Sequence, residues 1–175
     1  MWDGREHPAN SPVPRHTPNT MTEKLNSMRL LEQKKVAFTV RDFPDTIHSA
    51  DGVADHFGLP HEVVYKTLVV LPPKGKPMLI MVAGSRELDL KKVAKATGHK
   101  KVQMASKKEA ESLTGLQTGG ISALALLHKS FTVYIDKPAL ALENVLVSAG
   151  KRGVNLELPV KDLIKITKAK AVEVT

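Results

Sequence analysis

The alternation of apolar and polar positions predicts short helices and short strands that interleave along the chain. The predicted helices cover 22–34, 50–57, 89–97, 106–114 and 160–167. The predicted strands cover 36–43, 63–71, 78–84, 102–104, 131–135, 144–148, 154–158 and 172–174. Because these elements do not follow a regular βαβ spacing, the pattern favours an α+β domain with a mixed sheet over a Rossmann-type sheet.

Local signals define several element ends. Thr22, Ser49 and Ser106 are residue types that cap helix N-termini, and Gly58 follows the second helix as a C′ residue. The proline- and glycine-rich segment 72–77 predicts a turn that joins its two flanking strands as an antiparallel hairpin.

Lys66 lies within 63–71, an otherwise uncharged run of β-branched and large apolar residues. Side chains alternate along a strand, so Lys66 shares a face with Leu68 and Val70, at the wall of a core or a pocket. An ammonium there is costly unless it reaches water, a carboxylate or an anionic ligand. The strand alone leaves two interpretations open: a stem that extends to a solvated rim, and a lysine that faces a ligand.

A glycine pair, Gly119-Gly120, follows the fourth predicted helix. Glycine lets a ligand approach the main chain closely, and exposed N–H groups in such a loop can bind an anion or a polarised carbonyl oxygen. An ordinary turn is the commoner use of a glycine pair. No Gly-Lys-Ser/Thr follows at the right spacing, so a P-loop is excluded.

The segment 148–153 joins two predicted strands and carries two cations, Lys151 and Arg152, between glycines. Such a turn can contact phosphate, but a hairpin with a solvated tip fits the same residues. Ser148 has no histidine near it in sequence, so no hydrolase triad is indicated.

The histidines and the absence of cysteine restrict the possible chemistry. None of the seven histidines forms a metal-binding spacing, so neither a metal nor another cofactor is predicted. His48, just before the second helix, is a candidate site residue, with a surface histidine as the alternative. A chain without cysteine has no thiolate nucleophile and no disulfide.

The net charge of +8 lies entirely after Met21. Lysines cluster at 91–92, 95, 100–101, 107–108 and 161–170. A basic surface of this kind attracts phosphate backbones, although ordinary solvated helix faces account for the same lysines.

Composition and length predict one domain after a short leader. Residues 1–20 hold four of the eleven prolines and no periodic pattern, so we interpret them as a disordered leader or a start-site extension, with Met21 as an alternative initiator. The domain would span 21–175. No apolar run reaches the roughly 18 residues of a membrane span, and no secretory signal is recognisable, which predicts a cytoplasmic protein without a membrane partner.

Three motifs occur in a characteristic order: the strand with Lys66, the loop 115–122 and the turn 147–153. In this order and spacing, the chain from about Met21 to Val174 resembles the YbaK/ProX-type aminoacyl-tRNA deacylases, which are related to the editing domain of bacterial prolyl-tRNA synthetase. The resemblance implies a compact α+β domain whose mixed, mostly antiparallel sheet curls toward a barrel, with short helices around it.

The resemblance also implies trans-editing, the hydrolysis of the ester that joins a wrong amino acid to tRNA, most often tRNA for proline charged with cysteine or alanine. Lys66 would lie near the terminal adenosine and its phosphate, the backbone of Gly119 would hold the aminoacyl carbonyl, and Ser148 would line the pocket. The further substrate-binding candidates are Phe43, His48, Gly120, Ser122, Lys151 and Arg152. The implied partners are mischarged tRNA and, as a second candidate, prolyl-tRNA synthetase.

Three positions depart from the family pattern. Phe43 stands where some members have tyrosine, Leu116 where many have tyrosine, and Ala123 where proline is common. All three flank the implied pocket, so they bear on substrate identity more than on the fold. They also leave open an inactive or retasked homologue.

Two other function classes compete with the deacylase. A non-catalytic RNA-binding module, or a synthetase partner, would use the basic surface alone, and would bind tRNA with the same sensitivity to salt. Only the deacylase hypothesis predicts that Lys66→Ala abolishes ester hydrolysis. A DNA-binding regulator is disfavoured, because Pro60 interrupts the one helix-turn-helix candidate, 49–65.

Overall fold

The structure is a computed structural model that describes residues 24–175 of the 175-residue chain. Its helices are α1 (Asn26–Gln33), α2 (Ala50–Phe57), α3 (Leu90–Thr97), α4 (Lys107–Thr114) and α5 (Val160–Thr167). Its strands are β1 (Thr39–Asp42), β2 (Tyr65–Leu71), β3 (Met78–Ala83), β4 (Gln103–Met104), β5 (Thr132–Asp136), β6 (Asn144–Lys151), β7 (Val154–Pro159) and β8 (Lys170–Val172). Within the described range, no helix is both long enough and apolar enough to cross a bilayer.

The strands form two sheets. One contains five strands in the order β4-β2-β3-β5-β8, and the other contains three in the order β1-β7-β6. All pairs are antiparallel except β3 with β5 and β5 with β8. The predicted single compact α+β domain with mixed, mostly antiparallel pairing is therefore confirmed.

The barrel-like curl implied by the resemblance is wrong. The strands divide into two open sheets, and the five-stranded sheet ends at the edge strands β4 and β8 instead of closing on itself. One isolated parallel bridge, between Val64 and Leu146, brings the start of β2 to β6. Local sequence patterns do not predict this division into two sheets, because it depends on which distant strands pair.

The alternation of side chains along β3 places apolar residues on both faces of the larger sheet. Leu79 and Met81 pack into the main core, which also includes residues of β6, β7, α1 and α5. Ile80 and Val82 pack on the opposite face, under α3. Because both faces are covered, all six residues of β3 are buried.

Side-chain caps begin α2 and α4 at the serines that the sequence predicted. Ser49 Oγ accepts a hydrogen bond of 3.0 Å from the N–H of Gly52, and Ser106 Oγ accepts one of 3.1 Å from Glu109. Gly58 ends α2 in the left-handed conformation, with φ +64°. The cap predicted at Thr22, the alternative initiator Met21 and the predicted leader 1–20 lie outside the described residues.

Several strand boundaries differ from the prediction, among them the end of β6 and the position of β8. The sequence ended the strand of β6 at Ser148, but β6 continues to Lys151 through a bulge, and the turn is shortened to Arg152 and Gly153. The last strand pairs over Lys170–Val172 instead of 172–174. Both differences reflect pairing with a neighbouring strand, which a local pattern does not reveal.

Candidate active site

A pocket of about 370 Å³ lies beside the first half of β2. The strand β4 pairs only with Val70 and Leu71, so no described strand of this sheet covers the same edge of β2 from Tyr65 to Leu68. The start of α2, the start of α4, the loop before Gly119 and the strands β6 and β7 supply the other walls. Because the pocket lies at a strand edge, side chains from both faces of β2 reach it.

Lys66 lies on the wall of this pocket and is half-buried. Its Nζ atom is 3.5 Å from the carbonyl oxygen of Gly84, at the outer limit of a hydrogen bond. Among the residues that the structure describes, no carboxylate forms an ion pair with it. The ammonium therefore keeps donors for an anionic or carbonyl group that enters the pocket.

The loop before Gly119 is clamped at Thr118, through both main-chain polar groups of that residue. Its N–H donates a hydrogen bond of 3.0 Å to Glu111 Oε1 of α4, and its carbonyl oxygen accepts one of 2.6 Å from Arg152 Nε. The bond from the Thr118 N–H is the largest cause of a lowered pKa of the Glu111 carboxyl. The neighbouring residue, Gly119, lines the pocket with φ +90°, and a Cβ there would lie 3.3 Å from the carbonyl oxygen of His48.

Ser148 and Asn155 face the pocket from the smaller sheet. They are paired in the register of β6 and β7, and both are buried. Ser148 Oγ accepts a hydrogen bond of 3.2 Å from the N–H of Gly150 in the bulge. Asn155 was not predicted as a site residue, since only the register opposite Ser148 identifies it.

Asp51, in the first turn of α2, was also not predicted, and it lines the pocket. Its Oδ1 atom is buried and lies 3.1 Å from His61 Nδ1, in an orientation that does not meet hydrogen-bond geometry. The other ring nitrogen of His61, Nε2, is 2.7 Å from Asp55 Oδ1. The hydrogen bond with Asp55 is the main cause of a raised pKa of His61.

Tyr65 supplies a neutral wall of the pocket. Burial, with a smaller contribution from Asp136, raises the pKa of its phenol to about 12. The phenol therefore keeps its proton at neutral pH and cannot serve there as a general base.

The structure brings together five of the predicted site residues and leaves four outside the pocket. Those that line it are Phe43, His48, Lys66, Gly119 and Ser148. Those that do not are Gly120, Ser122, Lys151 and Arg152.

The four residues outside the pocket have other surroundings. That of Arg152 is its hydrogen bond to the Thr118 carbonyl oxygen, given above. Gly120 is buried against the backbone of Lys151 and Arg152, where an added Cβ would lie 2.9 Å from the main-chain nitrogen of Arg152. Ser122 is buried, and its Oγ accepts a hydrogen bond from the N–H of Ala125. Lys151 is exposed at the end of β6.

Of the three departures from the family pattern, only Phe43 lines the pocket. Its ring packs edge-on against Phe57, with centroids 6.2 Å apart. Leu116 and Ala123 pack into the main core instead. Within residues 24–175, no cluster of three histidine, aspartate or glutamate side chains is arranged to hold a metal ion.

Comparisons with known proteins agree with this fold. The family model of the aminoacyl-tRNA editing domain matches residues 45–166. An Enterococcus faecalis protein named "Putative Cys-tRNA(Pro)/Cys-tRNA(Cys) deacylase EbsC" is 37% identical over 155 residues, which cover 87% of this chain and 94% of that protein. A proline–tRNA ligase of Acidithiobacillus ferrooxidans is 34% identical over 96 residues, 55% of this chain and 16% of the ligase.

A solved structure described as that of "a putative trans-editing enzyme for prolyl tRNA synthetase" has the same fold. It superposes with a TM-score of 0.74 at 24% identity, covering 87% of this chain and 99% of the other. The Enterococcus faecalis relative is named as a deacylase, and the family match together with the identity to it places this chain in the aminoacyl-tRNA deacylase class of hydrolases. The chain belongs to the aminoacyl-tRNA editing domain family, which confirms the resemblance drawn from its three motifs.

Proposed function

We propose that this protein is a trans-editing deacylase that hydrolyses the aminoacyl ester of mischarged tRNA for proline, with cysteine or alanine as the amino acid removed. The observation that carries the proposal is the convergence of Lys66, Gly119 and Ser148 on one pocket, although they are distant in sequence. The name of the Enterococcus faecalis relative, which specifies Cys-tRNA substrates, supports the cysteinyl ester for that protein and suggests it for this one.

The size and the lining of the pocket suit the end of a charged tRNA. Its volume of about 370 Å³ falls in the range of about 300–1,000 Å³ that is usual for small-ligand sites. Val53 and Val64 offer apolar contacts to a small side chain. Lys66, and Lys107 at the start of α4, offer positive charge to phosphate.

In this proposal, the protein acts by positioning and by stabilising charge. Lys66 binds near the terminal phosphate, and the main chain at Gly119 holds the aminoacyl carbonyl as its oxygen becomes negative. Water adds to the carbonyl carbon, the bond to the ribose oxygen breaks, and that oxygen leaves as a hydroxyl. A cysteinyl substrate can use its own thiol for the attack: the carbonyl carbon then bonds to sulfur, the ribose oxygen leaves with the thiol proton, and water opens the resulting β-thiolactone to cysteine. Because an aminoacyl ester is already activated, neither route needs a strong base from the protein.

Hydrolysis of tRNA for proline charged with cysteine, alanine or serine tests the proposal. Wild type should release at least one amino acid faster than spontaneous hydrolysis, and Lys66→Ala should abolish the enhancement while tRNA affinity largely persists. Lys161→Ala, which removes an exposed lysine of α5 outside the pocket, is the control for loss of one positive charge. If wild type hydrolyses none of the esters, the alternative of a non-catalytic RNA-binding module or synthetase partner replaces the deacylase.

A further inference from the structure

Asp51 supplies the only carboxylate among the described residues that line the pocket. The charged groups around it on the pocket wall are basic: Lys66 on β2 and Lys107 on α4. The cavity is thus bipolar, with two ammonium groups and one carboxylate, and a ligand that fits it should carry both charges.

The carboxylate of Asp51 lies against the pocket wall. Its Oδ1 atom packs beside Gly84, so closely that a Cβ on that glycine would lie 2.7 Å from it. The same glycine carries the carbonyl oxygen that Lys66 approaches. Asp51 and Lys66 therefore both lie near Gly84, which follows β3 on the pocket wall. They do not form an ion pair with each other.

His61 lies beside this carboxylate, outside the pocket. Its two ring nitrogens bridge Asp51 and Asp55, which lie four positions apart on one side of α2. Asp55 is exposed and does not line the pocket. The chain thus contains two similar aspartates that share one histidine, and only one of them can touch a ligand.

We propose that Asp51 is the subsite for the α-ammonium group of the aminoacyl ester, a group that an N-acylated ester lacks. The inference rests on the proposed function. An aminoacyl end of tRNA carries one cation, its α-ammonium, next to the ester and close to anionic phosphates. This arrangement of one cation near anionic phosphates matches a pocket lined by one carboxylate, Asp51, and two ammonium groups, Lys66 and Lys107. A carboxylate that pairs with the ammonium fixes the rotation of the aminoacyl group and so aims the carbonyl at the Gly119 loop.

The test compares alanyl-tRNA for proline with its N-acetylated derivative, using wild type, Asp51→Asn and Asp55→Asn. Loss of one charge-assisted hydrogen bond should give wild type a preference in kcat/KM for the free amine of about tenfold or more. Asp51→Asn should lose that preference through a fall in kcat/KM for the free amine, and a Tm near that of wild type would show that the variant is folded. Asp55→Asn should keep the preference.

The possible failures are distinguishable. If Asp51→Asn keeps the full preference for the free amine, the preference comes from the size of the acetyl group, and the subsite is overturned while the deacylase stands. If wild type hydrolyses both substrates equally, the subsite is likewise overturned. If wild type enhances hydrolysis of neither alanyl substrate, nor of the cysteinyl and seryl esters, the proposed function fails and takes the subsite with it.

Discussion

Arg152 Nε donates a hydrogen bond of 2.6 Å to the carbonyl oxygen of Thr118, a residue 34 positions earlier in the chain. The bond ties the β6–β7 turn to the loop that presents Gly119 to the pocket. Glu111 accepts a hydrogen bond from the N–H of the same residue, Thr118. A rigid main chain at this point matters, because oxyanion stabilisation depends on donors that are already oriented before the reaction.

We expect Arg152→Ala to lower kcat by about tenfold, the usual effect of losing one hydrogen bond from a charged donor, and to lower Tm. Lys151→Ala removes the same charge from the exposed neighbouring position and should leave both quantities near wild type. Steady-state kinetics and thermal unfolding are the measurements. A rise in KM with unchanged kcat and Tm would indicate instead that Arg152 binds substrate phosphate.

Glu111→Gln should weaken the clamp on Thr118 and remove a pH dependence of stability. The pKa of Glu111 is lowered in the fold, so the stability it contributes is present above its unfolded value near 4.5 and is lost as pH falls through the folded pKa. The variant should therefore have a lower Tm than wild type at about pH 7, and the two should converge as pH falls through the folded pKa. Glu109→Gln, on the same helix, is the control; an equal loss there would assign the effect to helix charge alone.

Gly119→Ala should reduce activity far more than the backbone strain of an alanine at positive φ explains. At Gly119 the new Cβ would lie 3.3 Å from the His48 carbonyl oxygen and push the loop. Gly75→Ala is matched in strain, since Gly75 has φ +106° in the turn after β2, where an added Cβ would meet no atom within 4 Å. We expect similar losses of Tm in both variants and a loss of kcat only in Gly119→Ala. Equal activity would remove the loop from the mechanism.

His61→Gln should lower stability by an amount that depends on pH. The pKa of His61 is raised in the fold, so its pairs with Asp51 and Asp55 contribute fully below the unfolded value of 6.5, and that contribution is lost as pH rises through the folded pKa. The variant should have a lower Tm than wild type at about pH 5.5 and the same Tm at about pH 9. His128→Gln, at an exposed position outside the pocket, should show no such difference. A loss that is constant across pH would mean that packing, and not charge, is responsible.

The elements that the sequence predicted well are those determined by neighbouring residues. The cap at Ser49 binds a backbone N–H three positions on, and the β2–β3 hairpin follows from a turn six residues long. The site was predicted less completely. Lys66, Gly119 and Ser148 belong to recognisable motifs and do line the pocket, but Asp51 and Asn155 stand in segments whose local pattern is that of an ordinary helix and an ordinary strand.

The sequence by itself determined the helices, most strand positions, the lysine within an apolar strand and the family to which the chain belongs. The tertiary structure decided that the strands form two open sheets, that β5 runs parallel to β3 and that Arg152 clamps Thr118. It also placed Asp51 beside Gly84, on the same wall as Lys66. The physical reason is range: caps and turns are satisfied by atoms a few residues away, whereas strand pairing and pocket walls join residues whose separation in sequence carries no local signal.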